Sequence, residues 1–313
     1  MAERIMSIKD NRSETSIVKV LHAGSLTSLV RKGIGPALYQ ESGITLESES
    51  GHSVALAMAI KDQRMSGDAF LSADAEVNKI LLGPTNGDWI RWFVIFARNT
   101  VVLAYSPKSR FFSDFEQAHS GKIPWYQVLL QPGVKLFRND PNLDPLGYYT
   151  LLVCKLAQKH YRVPDLKQRL LGSDTNPAQV NHLNIAQLER GEIDAMFLYL
   201  SAAHDLALPY LVLPDEINLS NPSMATYYEG VQFTNNKGQT FDGKPISFSA
   251  AVLKNTNNPH AAQHFIEFLL SPVGQQLIQA AHFLPSPALA GGDKTSVPSQ
   301  LQTLLLGNYQ YPG

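Results

Sequence analysis

The 313-residue sequence has little cysteine, few charged residues and no long apolar run, and each of these features excludes a class of protein. Its one cysteine, Cys154, cannot form an internal disulfide, and we expect it to be a small core residue. Without a run of about 18 apolar residues, no transmembrane helix is expected. The N-terminal segment lacks the apolar stretch of a signal peptide, so the sequence leaves export of the chain open.

Charge is sparse and balanced along the whole chain. Lysine and arginine number 26, aspartate and glutamate number 27, and charged residues make up only 17% of the sequence. A nucleic-acid-binding protein usually carries a basic patch or stripe, so no nucleic-acid partner is expected. Hydrophobic residues make up 44%, enough for a large core. The chain is longer than most domains with a single hydrophobic core, which favours two lobes.

Runs that are typical of strands alternate with runs that are typical of helices, and no repeat or low-complexity segment interrupts them. This alternation indicates an α/β fold with parallel sheets covered by helices. The predicted strands are 17–23, 43–50, 68–74, 100–106, 134–140, 193–200 and 245–253. The predicted helices are 26–39, 54–62, 148–161, 185–191 and a pair within 258–283 that breaks near Pro272.

Four predicted turns from a strand into a helix carry small or polar residues. They are Gly24-Ser25, His52-Ser53, Ser72-Ala73 and Leu146-Gly147. A helix N-terminus offers unpaired N–H groups and about half a positive charge, so such turns form anion sites. In open parallel sheets, ligands bind beyond the carboxyl ends of the strands. Serine at such a turn is also a common helix N-cap, which leaves a purely structural role open.

Several longer stretches of the sequence resemble a known family in their order and spacing. The family is that of the archaeal-type molybdate/tungstate-binding proteins of ABC transporters, and the resemblance extends from about residue 17 to 285. The stretches are His22 to Leu26, Leu71 to Asp74, Asp88-Trp89 leading to Phe96 to Asn99, Asn142 to Tyr148, and Leu213 to Pro222. The last of these is long and unusual in composition, which makes the match specific.

The resemblance implies a two-lobed type II periplasmic binding protein fold, with parallel-dominated mixed sheets flanked by helices. Two crossing hinge strands are expected near 101–106 and 247–254. Lobe one would comprise 17–102 plus 250–285, and lobe two would comprise 106–244. Residues 1–16 would form a leader, and 286–313 a peripheral tail.

The resemblance also implies a function. We expect a monomeric solute-binding protein, periplasmic or otherwise extracytoplasmic, that captures a tetrahedral oxyanion, molybdate or tungstate, between its lobes. It would deliver this ligand to the permease of an ABC transporter. No catalysis, no cofactor beyond the ligand and no free metal cation are expected.

The expected ligand contacts follow from the same resemblance. They comprise the hydroxyl and N–H groups of Ser25 and Ser53, the backbone of Ser72 and Ala73, the N–H groups of Leu146 and Gly147, and the hydroxyl of Tyr199. Family members add two carboxylates that complete an octahedral shell, but here one of those positions is Leu198 while Asp144 remains. We therefore expect neutral hydrogen bonds to a tetrahedral anion, with Asp144 pointing away or capping the following helix. His52 either faces solvent or lines the mouth of the cleft.

Other interpretations stay open at the level of sequence. The same fold serves other ligands, so sulfate or another tetrahedral dianion, phosphate, ferric ion or a small organic acid are alternatives. A catalytic role would require Asp140 and Asp144 as paired carboxylates, or Ser25 with a distant histidine. A further alternative is a protein that scavenges or senses an anion without a transporter.

Overall fold

The structure is a computed structural model that describes residues 16–172 and 184–310. The strands in these ranges are β1 (Ile17–Ala23), β2 (Thr45–Gly51), β3 (Ala69–Ser72), β4 (Trp92–Arg98), β5 (Val101–Tyr105), β6 (Leu136–Phe137), β7 (Ala195–Tyr199), β8 (Tyr210–Val212), β9 (Gln232–Thr234), β10 (Thr240–Asp242), β11 (Ser247–Val252), β12 (Leu289–Gly292) and β13 (Gly307–Asn308). Of the expected leader, only Ser16 lies within the described residues.

The α-helices in the same ranges are α1 (Gly35–Ser42), α2 (Ser53–Lys61), α3 (Phe112–His119), α4 (Trp125–Leu129), α5 (Pro145–Tyr161), α6 (Leu166–Leu171), α7 (Asn184–Arg190), α8 (Leu200–Asp205), α9 (Ala225–Tyr228), α10 (Pro259–Leu270), α11 (Pro272–Ala280) and α12 (Ser299–Gln302). The predicted helix 26–39 is instead a 3-10 turn at Gly24–Leu26, a π-helical segment at Leu29–Ile34 and then α1. Within the described residues, no helix is both long and apolar enough to cross a membrane.

The strands form two main sheets, which confirms the two-lobed α/β prediction. The larger sheet has the order β13-β12-β4-β11-β3-β1-β2, and the smaller has the order β6-β7-β5-β8. Strand β1 is buried from Val18 onward except at Lys19, and it pairs in parallel with β2 and β3. A continuous apolar run of this kind suits a central strand whose two faces are both covered by helices. We call the part built on the larger sheet lobe one and the part built on the smaller sheet lobe two.

Pairing in the two sheets is mixed, and parallel pairs make up a smaller share than the sequence predicted. Parallel pairs join β1 to β2 and β3, β6 to β7, and β12 to β13. Antiparallel pairs join β11 to β3 and β4, β12 to β4, and β5 to β7 and β8. The reason is that β4, β5 and β11 flank the connections between the lobes, so β11 enters its sheet opposite in direction to β3 and β4.

Within residues 16–172 and 184–310, the chain passes between the lobes twice. The first passage is Asn99-Thr100, between β4 and β5, and the second lies between β10 and β11. Both passages immediately precede the strands that were expected to cross. The side chain of Asn99 donates to Ser201 Oγ at 2.8 Å, and Ile246 N–H donates to the carbonyl of Leu219 at 2.8 Å, so each passage is held by lobe two.

Residues after 285 were predicted to form a peripheral tail, but they extend the larger sheet. Strand β12 pairs antiparallel with β4, and β13 adds the next strand. Gly291 permits this packing, since a Cβ atom there would lie 2.1 Å from the ring of Phe93. Gly291, in a stretch whose composition suggested a loop, therefore allows the strand to lie close to an aromatic ring.

Candidate functional site

A cavity of about 990 Å³ lies between the two lobes. It is bounded by the ends of β1, β2 and β3 in lobe one, and by the starts of α5 and α8 and the end of β7 in lobe two. Of the predicted contact residues, those that line it are Ser25, Ser53, Ala73, Asp144, Leu146 and Tyr199. Ser72 and Gly147 do not line it. The four predicted turns therefore all reach this cavity, while their contacts with a ligand remain a prediction.

In lobe one, Ser25 follows the end of β1 in a 3-10 turn. Its Oγ is buried and has no hydrogen-bond partner within the described part of the chain. Ser53 is the first residue of α2 and is 1% exposed. Its Oγ accepts a hydrogen bond from the N–H of Ala73 at 3.1 Å, which joins the turns after β2 and β3. A hydroxyl that accepts one bond can still donate its proton to an anion.

Ser72 was predicted to contact the ligand through its backbone, and its hydroxyl group is bound within its own turn. Its Oγ donates to the carbonyl of Asp74 at 2.7 Å and accepts from the N–H of the same residue at 3.2 Å. The hydroxyl thus fixes the turn that follows β3. Of the two neighbouring positions, Ala73 is the one at the cavity wall.

In lobe two, Asp144 caps α5, as one of the two sequence-based alternatives expected. Its Oδ1 accepts from the N–H of Leu146 at 2.7 Å, and its carbonyl accepts from the N–H of Gly147 at 3.0 Å. Asp144 therefore occupies both backbone donors that were predicted to face the ligand. Gly147 is required for another reason, because a Cβ atom there would lie 2.7 Å from the carbonyl oxygen of Asn139.

Tyr199 ends β7 and is 1% exposed. Its hydroxyl group has no hydrogen-bond partner among residues 16–172 and 184–310. Burial, followed by the nearby negative charges of Asp144 and Asp74, raises the pKa of this phenol well above its ordinary value. The group therefore stays protonated and is a hydrogen-bond donor at every physiological pH.

Leu198 lines the same cavity from β7 and is 2% exposed. At the position where the resembling family has a carboxylate, this chain presents an aliphatic side chain to the cleft. The remaining carboxylate, Asp144, is engaged by the backbone of its own helix. Among the described residues, no group of three or more His, Cys, Asp or Glu side chains is placed to hold a metal ion.

Contacts between the lobes at one side of the cavity could not be predicted from the sequence. His52 lines the cavity, in agreement with one of its two sequence-based interpretations, and its Nδ1 pairs with Asp144 Oδ2. The N–H groups of Val54 and Ala55, at the start of α2, donate to the carbonyl of Leu143 at 3.1 Å and 3.3 Å. Lobe two thus docks directly on the N-terminus of a helix in lobe one.

The His52 contact gives the folded protein a pH dependence. The hydrogen bond to Asp144 raises the pKa of His52 above its ordinary value. A raised folded-state pKa contributes stability that is complete below the unfolded-state pKa and is lost as pH rises through the folded-state value. Relative to a His52→Gln variant, the native chain should therefore be more stable at about pH 6 than at about pH 9.

Urea titrations of both proteins at the two pH values measure this difference. The His52 side chain is 42% exposed, so we expect only the strength of a surface pair, about 0.2–1 kcal/mol. Comparison with the variant removes the opposite contribution of His22, whose pKa is lowered by burial. An equal stability difference at both pH values would contradict the assignment.

Two α/β lobes joined by two short passages, with a cavity between them lined by buried donors, define a solute-binding protein. The chain belongs to the bacterial extracellular solute-binding protein family, whose sequence model matches residues 18–284.

Individual relatives agree with this assignment. The molybdate/tungstate-binding protein of Thermococcus kodakarensis is 31% identical, in an alignment that covers 94% of this chain and 88% of the relative. Among solved structures, the periplasmic molybdate-binding protein of Azotobacter vinelandii has a TM-score of 0.59 at 18% identity, with 86% of this chain and 99% of that chain covered. The sulfate-binding protein SubI of Mycobacterium tuberculosis has a TM-score of 0.57 at 14% identity, with 94% of each chain covered. These structural matches confirm the predicted type II periplasmic binding protein fold.

Proposed function

We propose that this chain captures a tetrahedral oxyanion, molybdate or tungstate, in the cleft between its lobes and presents it to the permease of an ABC transporter. The name of the relative from Thermococcus kodakarensis supports this choice of ligand, as does the similarity over nearly the whole chain. The extracellular description of the family supports a periplasmic or other extracytoplasmic location. We further propose that the protein acts as a monomer, without a cofactor and without catalysis.

One observation carries the proposal. Ser25 Oγ in lobe one and Tyr199 OH in lobe two are both buried, both belong to residues that line the cavity, and both lack a partner in the described part of the chain. A buried polar group without a partner costs roughly 1–3 kcal/mol. A ligand with acceptor oxygens on opposite sides removes this cost in both lobes at once. A tetrahedral oxyanion is such a ligand.

The donors in this set are neutral. Ser25, Ser53 and Tyr199 supply hydroxyl groups, and the N-terminus of α2 supplies a helix dipole. Each hydrogen bond to a charged acceptor contributes about 1.5–3 kcal/mol, so a few such bonds offset the cost of desolvating the anion. Because ligand binding in both lobes favours the closed arrangement, closure about Asn99-Thr100 and the passage before β11 would signal occupancy to the permease.

A second candidate, sulfate, is favoured by Leu198. A carboxylate next to a dianion repels it unless the carboxylate bonds to the central atom, and sulfur cannot expand its coordination shell in this way. With a leucine at this position, and with Asp144 capping α5, the site lacks a chemical filter against sulfate. Selection would then depend on the size of the anion alone.

Isothermal titration calorimetry with molybdate, tungstate, sulfate, phosphate and ferric citrate tests the proposal. We expect molybdate or tungstate to bind with a Kd below about 1 µM. Equal or tighter binding of sulfate would select the second candidate. Saturable binding of ferric citrate or phosphate alone, with none of the other anions, would overturn the assignment of the ligand.

A further inference from the structure

The contacts between the starts of α2 and α5 do not use the three hydroxyl groups assigned to the ligand. His52 precedes α2, and Asp144 precedes α5. The pair between His52 Nδ1 and Asp144 Oδ2, which we call the His52–Asp144 bridge, spans 92 residues of sequence and crosses from lobe one to lobe two. The bonds from Val54 and Ala55 to the carbonyl of Leu143 lie beside it and cross in the same direction.

Asp144 is a rigid point of attachment for this bridge. Its Oδ1 is held by the N–H of Leu146, and its own N–H donates to the carbonyl of Asp140 at 3.0 Å. The position of its carboxylate is therefore fixed relative to the start of α5. Through Asp144, His52 connects the N-terminus of α2 to the N-terminus of α5, and both helix starts lie at the cavity wall.

Other contacts also join the two lobes. Ser28 Oγ in lobe one donates to Asp205 Oδ1 in lobe two at 2.7 Å. The rings of His204 in lobe two and His282 in lobe one stack with their centroids 3.6 Å apart. These four residues also line the cavity. The bridge differs from these contacts because it joins the starts of α2 and α5, and both of these helix starts line the cavity.

We propose that His52 is a positioning residue for ligand capture. Through the His52–Asp144 bridge, it holds the lobes in the closed arrangement and slows release of the bound anion. It acts through Asp144 and makes no contact of its own with the ligand. The part of this inference that concerns release rests on the proposed function, whereas the part that concerns closure does not.

Double electron–electron resonance on the empty protein tests closure directly. Spin labels at Tyr39→Cys in lobe one and Val212→Cys in lobe two report the distance between the lobes, because both side chains are exposed. The native Cys154 is buried and will not compete for the label. We expect His52→Ala to reduce the ratio of closed to open molecules by about 1.4-fold to fivefold, the range for a pair of this exposure.

Matched variants distinguish the loss of the bridge from a general loss of folded structure. Asp144→Ser keeps a good N-cap for α5 but cannot reach His52, so it should open the lobes as His52→Ala does. The double variant should be no more open than either single variant, since both substitutions remove the same interaction. His52→Gln, which retains a side-chain N–H donor, should restore part of the closed fraction. His260→Ala, an exposed residue on α10, should change nothing.

The kinetics of molybdate binding, followed by stopped-flow fluorescence, provide the second readout. His52→Ala should raise the dissociation rate constant by about 1.4-fold to fivefold and leave the association rate constant unchanged. A closed fraction equal to that of the native chain, or a variant that changes association alone, would overturn the inference. If no oxyanion binds, the proposed function fails, and the resonance distances still decide whether the bridge closes the lobes.

Discussion

Replacing Ser25 with alanine and Tyr199 with phenylalanine together is expected to weaken molybdate binding by at least about a hundredfold. Each substitution removes one hydroxyl group that we propose donates to the anion, and the two hydroxyl groups come from opposite lobes. The expected loss of affinity therefore has two parts. One is the contact with lobe one, and the other is the contact with lobe two that favours closure. Isothermal titration calorimetry of the double variant and of both single variants measures the effect.

The stability of the empty protein provides an internal control for this experiment. Both hydroxyls are buried without a partner in the described residues, so their removal should leave the free energy of unfolding unchanged or slightly higher. Tyr39→Phe, a change at an exposed tyrosine, is the matched control for the loss of a phenol hydroxyl. Unchanged affinity in the double variant, with a folded protein, would show that the anion does not bind between these groups.

Leu198→Glu is expected to change the selectivity of the cleft. Leu198 lies at the cavity wall, so a carboxylate there would stand beside the bound anion. It would repel sulfate, whereas molybdenum and tungsten can accept it as an additional ligand. We expect sulfate affinity to fall at least about tenfold more than molybdate affinity, a difference in binding free energy of about 1.4 kcal/mol.

Leu198→Gln is the control for this prediction, because it has the same shape as glutamate without the charge. Both variants introduce a polar group at a position that is 2% exposed, so both should lose some stability. The comparison of the two isolates the charge. Equal losses of sulfate and molybdate affinity in Leu198→Glu, relative to Leu198→Gln, would contradict the prediction.

The order of strands and helices could be predicted largely because apolar runs in this chain are bounded by clear turn residues. Val101–Tyr105, for example, is rich in β-branched residues and became β5. Strand β4 was not predicted as a strand, since Trp92–Arg98 is apolar at almost every position and shows no alternation. The extension of the larger sheet by β12 was missed because its two glycines have the composition of a loop.

The location of the site could be predicted, but the direction of its groups could not. Sequence placed Ser25, Ser53 and the Ser72-Ala73 pair at turns after strands, and those turns do meet at one cavity. Whether a hydroxyl faces the cavity depends on the backbone angles of each turn. At Ser72 these angles direct the hydroxyl back to Asp74.

The bridge between His52 and Asp144 lies beyond what sequence reasoning can reach. Its two residues are separated by 92 positions and belong to different lobes, so only the packed structure brings them together. The capping of α5 by Asp144 was predictable, since an aspartate before a proline at the start of a helix is a common N-cap. The pairing of the same carboxylate with His52 was not predictable.

The most direct test of the account is a crystal structure of the protein with molybdate, in which the anomalous signal of the metal locates the anion. We predict an anion between the lobes, with oxygen atoms within about 2.7–3.2 Å of Ser25 and Tyr199 hydroxyl groups. Asp144 would remain on the N-terminus of α5, paired with His52. An anion bound outside the cleft, or bound in it without contact to either hydroxyl, would contradict the account.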